Sequence, residues 1–389
     1  MSTSVHRIVV LGAGYSGMMC AARLAYRTRR LGVRITVVNP SERFTERLRM
    51  HQVAAGQQLG EFRIPDVLDG TGIEFVQGWA TAIDPERRAV EVDGRTELGY
   101  DTLVYALGST TDASKVPGAA EHAFTLNSPQ IAGLFADRLA EVAAAGGTVT
   151  VCGGGLTGIE AATEIAESHP GLRVTLLSHG EPGAMMGDKA RAHLYKAFDR
   201  LGVTVRAGVK VAKVMPDSVE LSHGELVPSD VCLWTTGVVV PPLAADSGVA
   251  VDDRGLILVD ETLTSVSHPE IHAIGDAAAV RQKWGTVHGT CQSGIPTGAY
   301  TADTIARVLR GRRAKPFRYG YFHQPVSLGR RDAVIQFTHA DDTPRRTRLT
   351  GRAAVMYKEM VSASPLTTYR LSKRFVVTAQ LSKGGRATR

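Results

Sequence analysis

The sequence predicts an α/β protein with two parallel-sheet domains of one design and a small α+β region at the C-terminal end. Two stretches predict the paired domains, because an apolar strand, a glycine-rich turn and a helix follow one another in each. The stretches are VVLGAGYSGMMCA (9–21) and VTVCGGGLTGIEAATEIAE (149–167). A change of composition after Lys315, to alternating apolar residues, predicts the separate C-terminal region.

Each glycine of the first motif has a different structural role. Gly12 permits the tight turn, Gly14 lets phosphate groups approach the backbone, and Gly17 lets the helix pack close to the strand. Tyr15 and Ser16 then open the helix, whose N-terminus presents free N–H groups and a partial positive charge to a pyrophosphate. This arrangement predicts a dinucleotide site.

The second glycine motif repeats this spacing with Gly153, Gly155 and Gly158, and Leu156 opens its helix. A chain with two such motifs is most simply explained by two bound dinucleotides. We therefore expect a redox enzyme that uses two cofactors.

Composition limits the class of protein. Hydrophobic residues make up 43% and charged residues 21% of the 389 residues, as in an ordinary globular protein with two or three domains. The net charge is +7, but no basic stripe with interleaved aromatic residues is present, so no nucleic-acid partner is predicted. The four cysteines lie far apart without a Cys-x-x-Cys pair, which predicts neither a disulfide framework nor a metal site.

The first apolar run belongs to the first glycine motif, so we do not interpret it as an export signal. No uninterrupted apolar run reaches 18 residues, so no membrane span is predicted. The expected location is the cytoplasm.

Several strand ends carry candidate ligand-binding residues. Asn39 stands where an acidic residue normally accepts the ribose hydroxyls, and an amide can still bond a hydroxyl. Two further apolar strands stop on glycines, at Ala106 to Gly108 and at Gly237, where the backbone can approach a ligand. The stretches 73–77, 80–84 and 89–92 are predicted to form a small β-ribbon.

Two stretches of the first domain leave alternatives open. Residues 44–60 form either a solvated surface helix or a segment beside the cofactor, and the cluster of Arg47, Arg49 and His51 favours the second. Asp276, which follows Gly275, either caps a helix or bonds a hydroxyl of a bound cofactor.

The second domain offers no acidic residue after its strand 174–177, where Ser178 stands. Absence of that carboxylate removes repulsion of a 2′-phosphate, and the basic residues His179, Lys189 and Arg191 lie nearby. The pattern favours NADPH slightly over NADH and leaves both open.

The C-terminal region is predicted to contain two strands joined near Gly329 and a helix over 352–373 with apolar residues at 353, 356, 357, 360 and 361. This helix either packs on the first domain, which we favour, or lies on a membrane. The tail after Leu381 is predicted to be disordered.

With both glycine motifs, the strand–glycine steps and IGDAAA (274–279) in this order, the chain resembles the pyridine nucleotide-disulfide oxidoreductase superfamily over nearly its whole length. PFRY (316–319), SLGRRDAV (327–334) and the helix that begins at GR resemble the type II NADH dehydrogenase-like branch. The resemblance implies two Rossmann-like domains, an FAD domain over 1–112 and 235–315 and an NAD(P)H domain over 113–234, with a C-terminal domain over 316–389.

The resemblance also implies site residues. Those expected to bind FAD or the nicotinamide nucleotide are Gly12, Gly14, Tyr15, Ser16, Gly17, Asn39, Arg47, Ala106, Gly108, Gly153, Gly155, Leu156, Gly158, Glu160, Gly237, Gly275, Asp276 and Gln292. Glu160 matches a carboxylate near the nicotinamide end, and Asp276 would bond a ribityl hydroxyl of the flavin. Gln292 is the candidate catalytic residue.

The implied reaction is hydride transfer from NAD(P)H to FAD, followed by electron delivery to an acceptor. Two departures bear on the acceptor. The redox cysteine pair is absent from residues 43–58, which argues against disulfide and sulfide chemistry. The branch's quinone-site pattern corresponds to residues 291–297, where Gln292 is kept but Pro296 and Thr297 replace paired glutamines.

Three alternatives remain for the function beyond flavin reduction: two are electron acceptors and one is a sensor. The first is a quinone, with peripheral contact of 352–373 on the inner face of a membrane. The second is oxygen, a redox protein or a small organic substrate, and the third is a flavin-binding sensor with slow turnover. A homodimer is a further expected partner arrangement.

Overall fold

Two parallel five-stranded sheets form the centre of the computed structural model, which describes residues 5–388. The first sheet has the strand order Ile271–Ala273, Thr102–Tyr105, His6–Leu11, Val33–Asn39 and Glu74–Gln77. The second has the order Thr204–Arg206, Arg173–Leu177, Thr148–Cys152, Val231–Trp234 and Ala123–Phe124. The strand of each glycine motif lies in the middle of its sheet. The predicted α/β fold class, two Rossmann-like domains with a small C-terminal α+β region, is confirmed.

Smaller sheets surround these two. Three are antiparallel and three-stranded: Ala80–Asp84, Ala89–Val92 and Thr96–Gly99; Val211–Val214, Ser218–Leu221 and Leu226–Pro228; His323–Ser327, Ala333–Thr338 and Pro344–Thr350. The paired short strands are Thr110–Thr111 with Val238–Val239, Ile257–Leu258 with Ala278–Ala279, and Arg281–Gln282 with Gly285–Thr286. The predicted β-ribbon is therefore wrong at its first strand, because Glu74–Gln77 pairs in parallel with Val33–Asn39 at the edge of the first large sheet.

The α-helices are Tyr15–Thr28, Met50–Ala54, Ile64–Leu68, Ala119–His122, Pro129–Ala144, Leu156–Ser168, Asp188–Leu201, Leu243–Asp246, Cys291–Val308 and Gly351–Ser372. Short 3₁₀ turns are Arg47–Arg49, Gly275–Ala277 and Gly385–Thr388. Among residues 5–388, no helix combines the length and the apolarity that crossing a bilayer requires.

Close packing of two helices positions one wall of the site. A Cβ atom at Gly298, in the helix Cys291–Val308, would lie 2.2 Å from the backbone oxygen of Ser16. Only glycine therefore allows this helix to approach the helix Tyr15–Thr28 so closely. Thr290 caps the N-terminus of the helix Cys291–Val308, because its side chain accepts a hydrogen bond from the Ser293 N–H. The packing brings the N-termini of both helices to one cavity.

The C-terminal region joins both large domains. Val326, Leu328 and Val334 pack into the core of the second domain. Leu366 and Tyr369 of the C-terminal helix (Gly351–Ser372) pack into the core of the first.

The favoured packing of the C-terminal helix on the first domain is confirmed, but it uses another face than the predicted apolar stripe. The buried face contains Ala354, Lys358, Leu366 and Tyr369, and the Tyr369 hydroxyl donates to the Tyr15 carbonyl at 3.1 Å. Met356 and Met360 of the stripe remain exposed. The tail was expected to be disordered, but its described part, residues 382–388, ends in a 3₁₀ turn with Thr388 buried against Gly384, and Arg389 lies outside the described residues.

Candidate active site

The two glycine motifs have the same geometry. Gly12 and Gly153 have φ angles of +93° and +125°, where L side chains are strained. A Cβ atom at Gly17 would lie 1.9 Å from the Gly12 carbonyl oxygen, and one at Gly158 would lie 1.8 Å from that of Gly153. The first and third glycines of each motif are therefore required for the turn and for close packing.

The middle glycines, Gly14 and Gly155, are different. A Cβ atom at either would meet no atom within 4 Å, and neither has a positive φ. Each is the N-cap of its helix, and no side chain bonds the helix N-terminus at either cap. The space in front of each middle glycine is thus open, and unbonded N–H groups point toward it.

One continuous cavity of about 1400 Å³ lies between the first sheet, the second-motif helix and the C-terminal region. The predicted site residues on its wall are Gly12, Gly14, Tyr15, Ser16, Asn39, Arg47, Ala106, Gly108, Leu156, Glu160, Gly275, Asp276 and Gln292. The predicted residues that the cavity wall leaves out are Gly17, Gly153, Gly155, Gly158 and Gly237. Gly237 serves a backbone contact, since a Cβ there would lie 2.7 Å from the Asp112 carbonyl oxygen.

Several predicted residues organise the wall through bonds within the protein. The Asn39 Oδ1 accepts from the Ala13 N–H at 3.0 Å, so the amide braces the first glycine turn. Arg47 donates to the Ser109 carbonyl, and the Ser109 hydroxyl donates to Asp276 at 2.7 Å.

Local structure excludes one of the two alternatives at each open stretch of the first domain, and the cofactor contacts stay predictions. Residues 47–54 form a short turn and helix whose His51 is buried at the cavity wall, so the surface-helix alternative is wrong. The capping alternative for Asp276 is also wrong, because Asp276 is the middle residue of the 3₁₀ turn Gly275–Ala277 and the strand Ala278–Ala279 follows, so it caps no α-helix.

Gln292 is held firmly by the neighbouring strand. Its Oε1 accepts from the Phe322 and His323 N–H groups at 2.9 and 3.3 Å, and its Nε2 donates to the His323 carbonyl at 2.9 Å. These bonds give Gln292 a positioning task at the start of its helix. Its catalytic role stays a prediction.

The most strongly charged part of the wall is a buried ion pair between the second domain and the C-terminal helix. Lys358 Nζ lies 2.7 Å from Glu160 Oε1, with side chains 7% and 10% exposed. The Ser327 N–H also donates to that oxygen at 3.0 Å, and Lys358 donates to the Pro325 carbonyl at 3.1 Å.

Burial and charge oppose each other at this pair. Burial raises the pKa of Glu160, but the Lys358 charge and hydrogen bonds outweigh it and hold the pKa below its ordinary value. Burial also lowers the pKa of His51 to about 4, against the influence of Glu160. His51, whose Nδ1 lies 3.8 Å from Glu160 Oε2, is therefore neutral at pH 7. The charged groups here are Glu160 and Lys358.

The wall residues that sequence reasoning missed include Trp79, His323, Tyr357 and Lys358. A signal existed for Lys358, since it stands four residues from Ala354 and eight from Leu366 on the buried helix face. The signal for Trp79, which is exposed in the structure, was weaker: it was only a tryptophan beside the end of a strand.

The residues present fit FAD and a nicotinamide nucleotide. Each motif offers an open cradle at its middle glycine that a side chain would fill, and an uncapped helix N-terminus for a pyrophosphate. The cavity reaches from Gly14 at the first motif to Leu156 and Glu160 at the second. Its wall also carries the cationic side chains of Arg43 and Arg47.

Comparison with known proteins agrees with this fit. The sequence pattern of the pyridine nucleotide-disulphide oxidoreductase family matches residues 6–294. An NADH dehydrogenase-like protein of Mycobacterium tuberculosis is 32% identical over 352 residues, covering 84% of this chain and 87% of that protein. A demethylphylloquinone reductase of Synechocystis is 26% identical and covers 93% of this chain and 92% of its own length.

Solved structures show the same fold. The sulfide:quinone oxidoreductase of Aquifex aeolicus superposes with a TM-score of 0.81 at 20% identity, covering 94% of this chain and 92% of that one. The NDH2 of Plasmodium falciparum in complex with NADH also gives 0.81, at 14% identity, with 95% and 96% covered. The chain belongs to the pyridine nucleotide-disulphide oxidoreductase family and is an oxidoreductase that uses FAD and a nicotinamide nucleotide.

Proposed function

We propose that this protein transfers electrons from NADH through FAD to a quinone; the names of its type II NADH:quinone oxidoreductase relatives give NADH and a quinone as the substrates of those proteins. The observation that carries the proposal is one continuous cavity that reaches from Gly12 and Gly14 of the first motif to Leu156 and Glu160 on the helix of the second. Two cofactors bound there would meet within it, beside the buried Glu160–Lys358 pair.

FAD, when bound, accepts a hydride from the nicotinamide and passes two electrons onward. The chain's own residues bind, orient and supply charge. Glu160 holds the Lys358 ammonium in a buried position on the wall. Since electrostatic interactions are strong away from water, that cation stabilises negative charge that develops beside it.

NADH is the donor we propose, although the sequence alone favoured NADPH. Arg191, the best candidate for a 2′-phosphate, lies 2.9 Å from the Asp188 carboxylate, whose negative charge would repel that phosphate. The relatives' names also carry NADH. NADPH remains the alternative electron donor, and anaerobic titration with each nucleotide distinguishes the two.

The quinone is tested by re-oxidation. Protein reduced anaerobically with one equivalent of NADH is mixed either with a short-chain quinone or with air-saturated buffer. We expect the quinone to restore the oxidised-flavin spectrum at least about tenfold faster than oxygen, a difference of about 1.4 kcal/mol in barrier. Faster recovery with oxygen would support the oxidase alternative instead.

Peripheral membrane contact is proposed through the exposed stripe of the C-terminal helix. Met356 and Met360 are 75% and 61% exposed, and Leu371 and Phe375 continue the apolar surface. Exposed basic side chains that would face anionic lipid flank it at Arg352, Arg370 and Arg374.

We expect Met356→Ser/Met360→Ser to weaken co-sedimentation with vesicles containing anionic phosphatidylglycerol about tenfold, because each serine loses buried methylene groups. Leu134→Ser/Leu226→Ser, which changes two exposed apolar side chains of the second domain, is the matched control. Wild-type protein that stays in the supernatant at low salt would contradict the contact.

The domain limits 1–112 with 235–315, 113–234 and 316–389 are likewise proposed. They are supported by the paired strands Thr110–Thr111 and Val238–Val239, where the chain passes between the two large sheets. The cytoplasmic location, the homodimer and the cofactor contacts of the individual residues stay predictions.

A further inference from the structure

The helix Cys291–Val308 offers no free hydrogen-bond donor at Pro296 and Thr297. Pro296 is buried and has no N–H group. The Thr297 hydroxyl, in a residue 2% exposed, donates to the Gly294 carbonyl at 2.6 Å and accepts from the Gly275 N–H at 3.0 Å. An acceptor with carbonyl oxygens must therefore find its donors elsewhere on the cavity wall.

Next to the start of this helix, the cavity wall carries a hydrogen-bonded pair that no sequence motif assigned. His323 Nδ1 lies 2.7 Å from the Tyr357 hydroxyl, and both residues line the cavity. Two hydrogen bonds with the Gln292 side chain fix the backbone N–H and carbonyl of His323, so the start of that helix holds the backbone that carries the ring. We call His323 and Tyr357 the wall pair.

The wall pair is neutral and keeps one donor free. Burial, reinforced by the nearby Lys358 charge, lowers the pKa of His323 to about 4. If Nδ1 accepts from the Tyr357 hydroxyl, the ring proton sits on Nε2, which has no partner among residues 5–388. If Nδ1–H donates instead, the hydroxyl proton of Tyr357 is free. With either tautomer, the pair keeps one donor that no other described residue occupies, and both of its residues line the cavity.

The surroundings suit a planar, uncharged ring with carbonyl oxygens. Phe337 packs on Tyr357 with ring centroids 6.1 Å apart, and the Lys358 ammonium is the next side chain along the helix. A carbonyl oxygen accepts hydrogen bonds and gains negative charge when its ring is reduced, so a neutral donor beside a cation matches it.

We propose that the wall pair His323–Tyr357 hydrogen-bonds a carbonyl oxygen of the quinone and so determines acceptor specificity. This rests on the proposed function, because it names residues for the acceptor step of that same site. It assigns the pair no part in the reaction with NADH.

The test compares two acceptors in the flavin-loaded enzyme. Ferricyanide takes single electrons without a carbonyl oxygen to bind, whereas a short-chain quinone needs the donor. We expect Tyr357→Phe and His323→Leu each to raise the KM for the quinone about fivefold to tenfold, the effect of one lost hydrogen bond. The ferricyanide rate and the anaerobic rate of flavin bleaching by NADH should stay within about twofold.

The two residues act as a unit, so the double variant should raise the KM by less than the product of the single effects. Tyr195→Phe removes the same atoms from a tyrosine outside the cavity that donates to Glu181, and should leave the KM unchanged.

An unchanged quinone KM in both single variants would overturn the proposal, as would an equal loss with ferricyanide and in bleaching. A wild-type enzyme that bleaches with NADH and reduces ferricyanide but no quinone overturns the proposed acceptor itself, and the wall pair's role with it.

Discussion

Lys358→Met is expected to destabilise the protein by about 3 to 5 kcal/mol at pH 8, because it leaves the buried Glu160 carboxylate without its cation. For a chain of this size we expect the melting temperature to fall by about 5 °C. Methionine keeps the length and most of the volume of the lysine stem, so the loss reports mainly on charge.

The loss of unfolding free energy in Lys358→Met is expected to depend on pH. In the wild type the pKa of Glu160 lies below its ordinary value, so its stabilising contribution is present at neutral pH and disappears as pH falls through that folded pKa. Without Lys358, burial dominates and raises the pKa, so the carboxyl group takes up a proton more readily. The variant's deficit should therefore be smaller at pH 5 than at pH 8.

Thermal melts of the wild type, Lys358→Met and Lys358→Met/Glu160→Gln at both pH values check this. The double variant should recover at least half of the loss, because no buried charge remains unpaired. An equal deficit at both pH values, or a double variant worse than the single one, would show that packing and not charge explains the effect.

Gly14→Val and Gly155→Val are expected to abolish the two cofactor sites separately. Both positions have space for a side chain and φ angles that any residue adopts, so both variants should fold. The valine at position 14 would occupy the phosphate cradle of the first motif, and that variant should purify without flavin absorbance. The valine at 155 should leave flavin in place but slow bleaching by NADH at least about a hundredfold, a loss of about 2.7 kcal/mol.

Flavin content per protein and stopped-flow bleaching rates measure both effects. Gly32→Val is the control, since Gly32 also has open space but lies in a turn away from the cavity. Full flavin content in Gly14→Val, or loss of flavin in Gly155→Val, would contradict the assignment of the first motif to FAD and the second to the nicotinamide nucleotide.

Local patterns explain which parts of the fold could be predicted. The glycine motifs were found because the spacing of Gly12, Gly14 and Gly17 itself dictates the turn and the helix contact. The place of Glu74–Gln77 in the first sheet could not be found, because strand pairing depends on residues distant in the chain. The helix Asp188–Leu201 and the strand Pro344–Thr350 were not predicted at all.

The site also contains residues that local patterns predict and residues that they do not predict. Residues that belong to a motif, such as Gly14 and Asp276, could be named from sequence. Lys358, His323 and Tyr357 come to the cavity only because the C-terminal region folds back onto both domains. The helical period of the predicted apolar stripe was correct and so was the first domain as the helix's partner, but the helix packs through another face, which contains a buried lysine.

The central claim is that a nicotinamide nucleotide reduces FAD in this cavity. Anaerobic titration of the purified protein with NADH and, separately, with NADPH tests it most directly. The account predicts that NADH bleaches the oxidised-flavin spectrum rapidly with one equivalent, and NADPH more slowly. A flavin spectrum that neither nucleotide bleaches would contradict the account and support the sensor alternative.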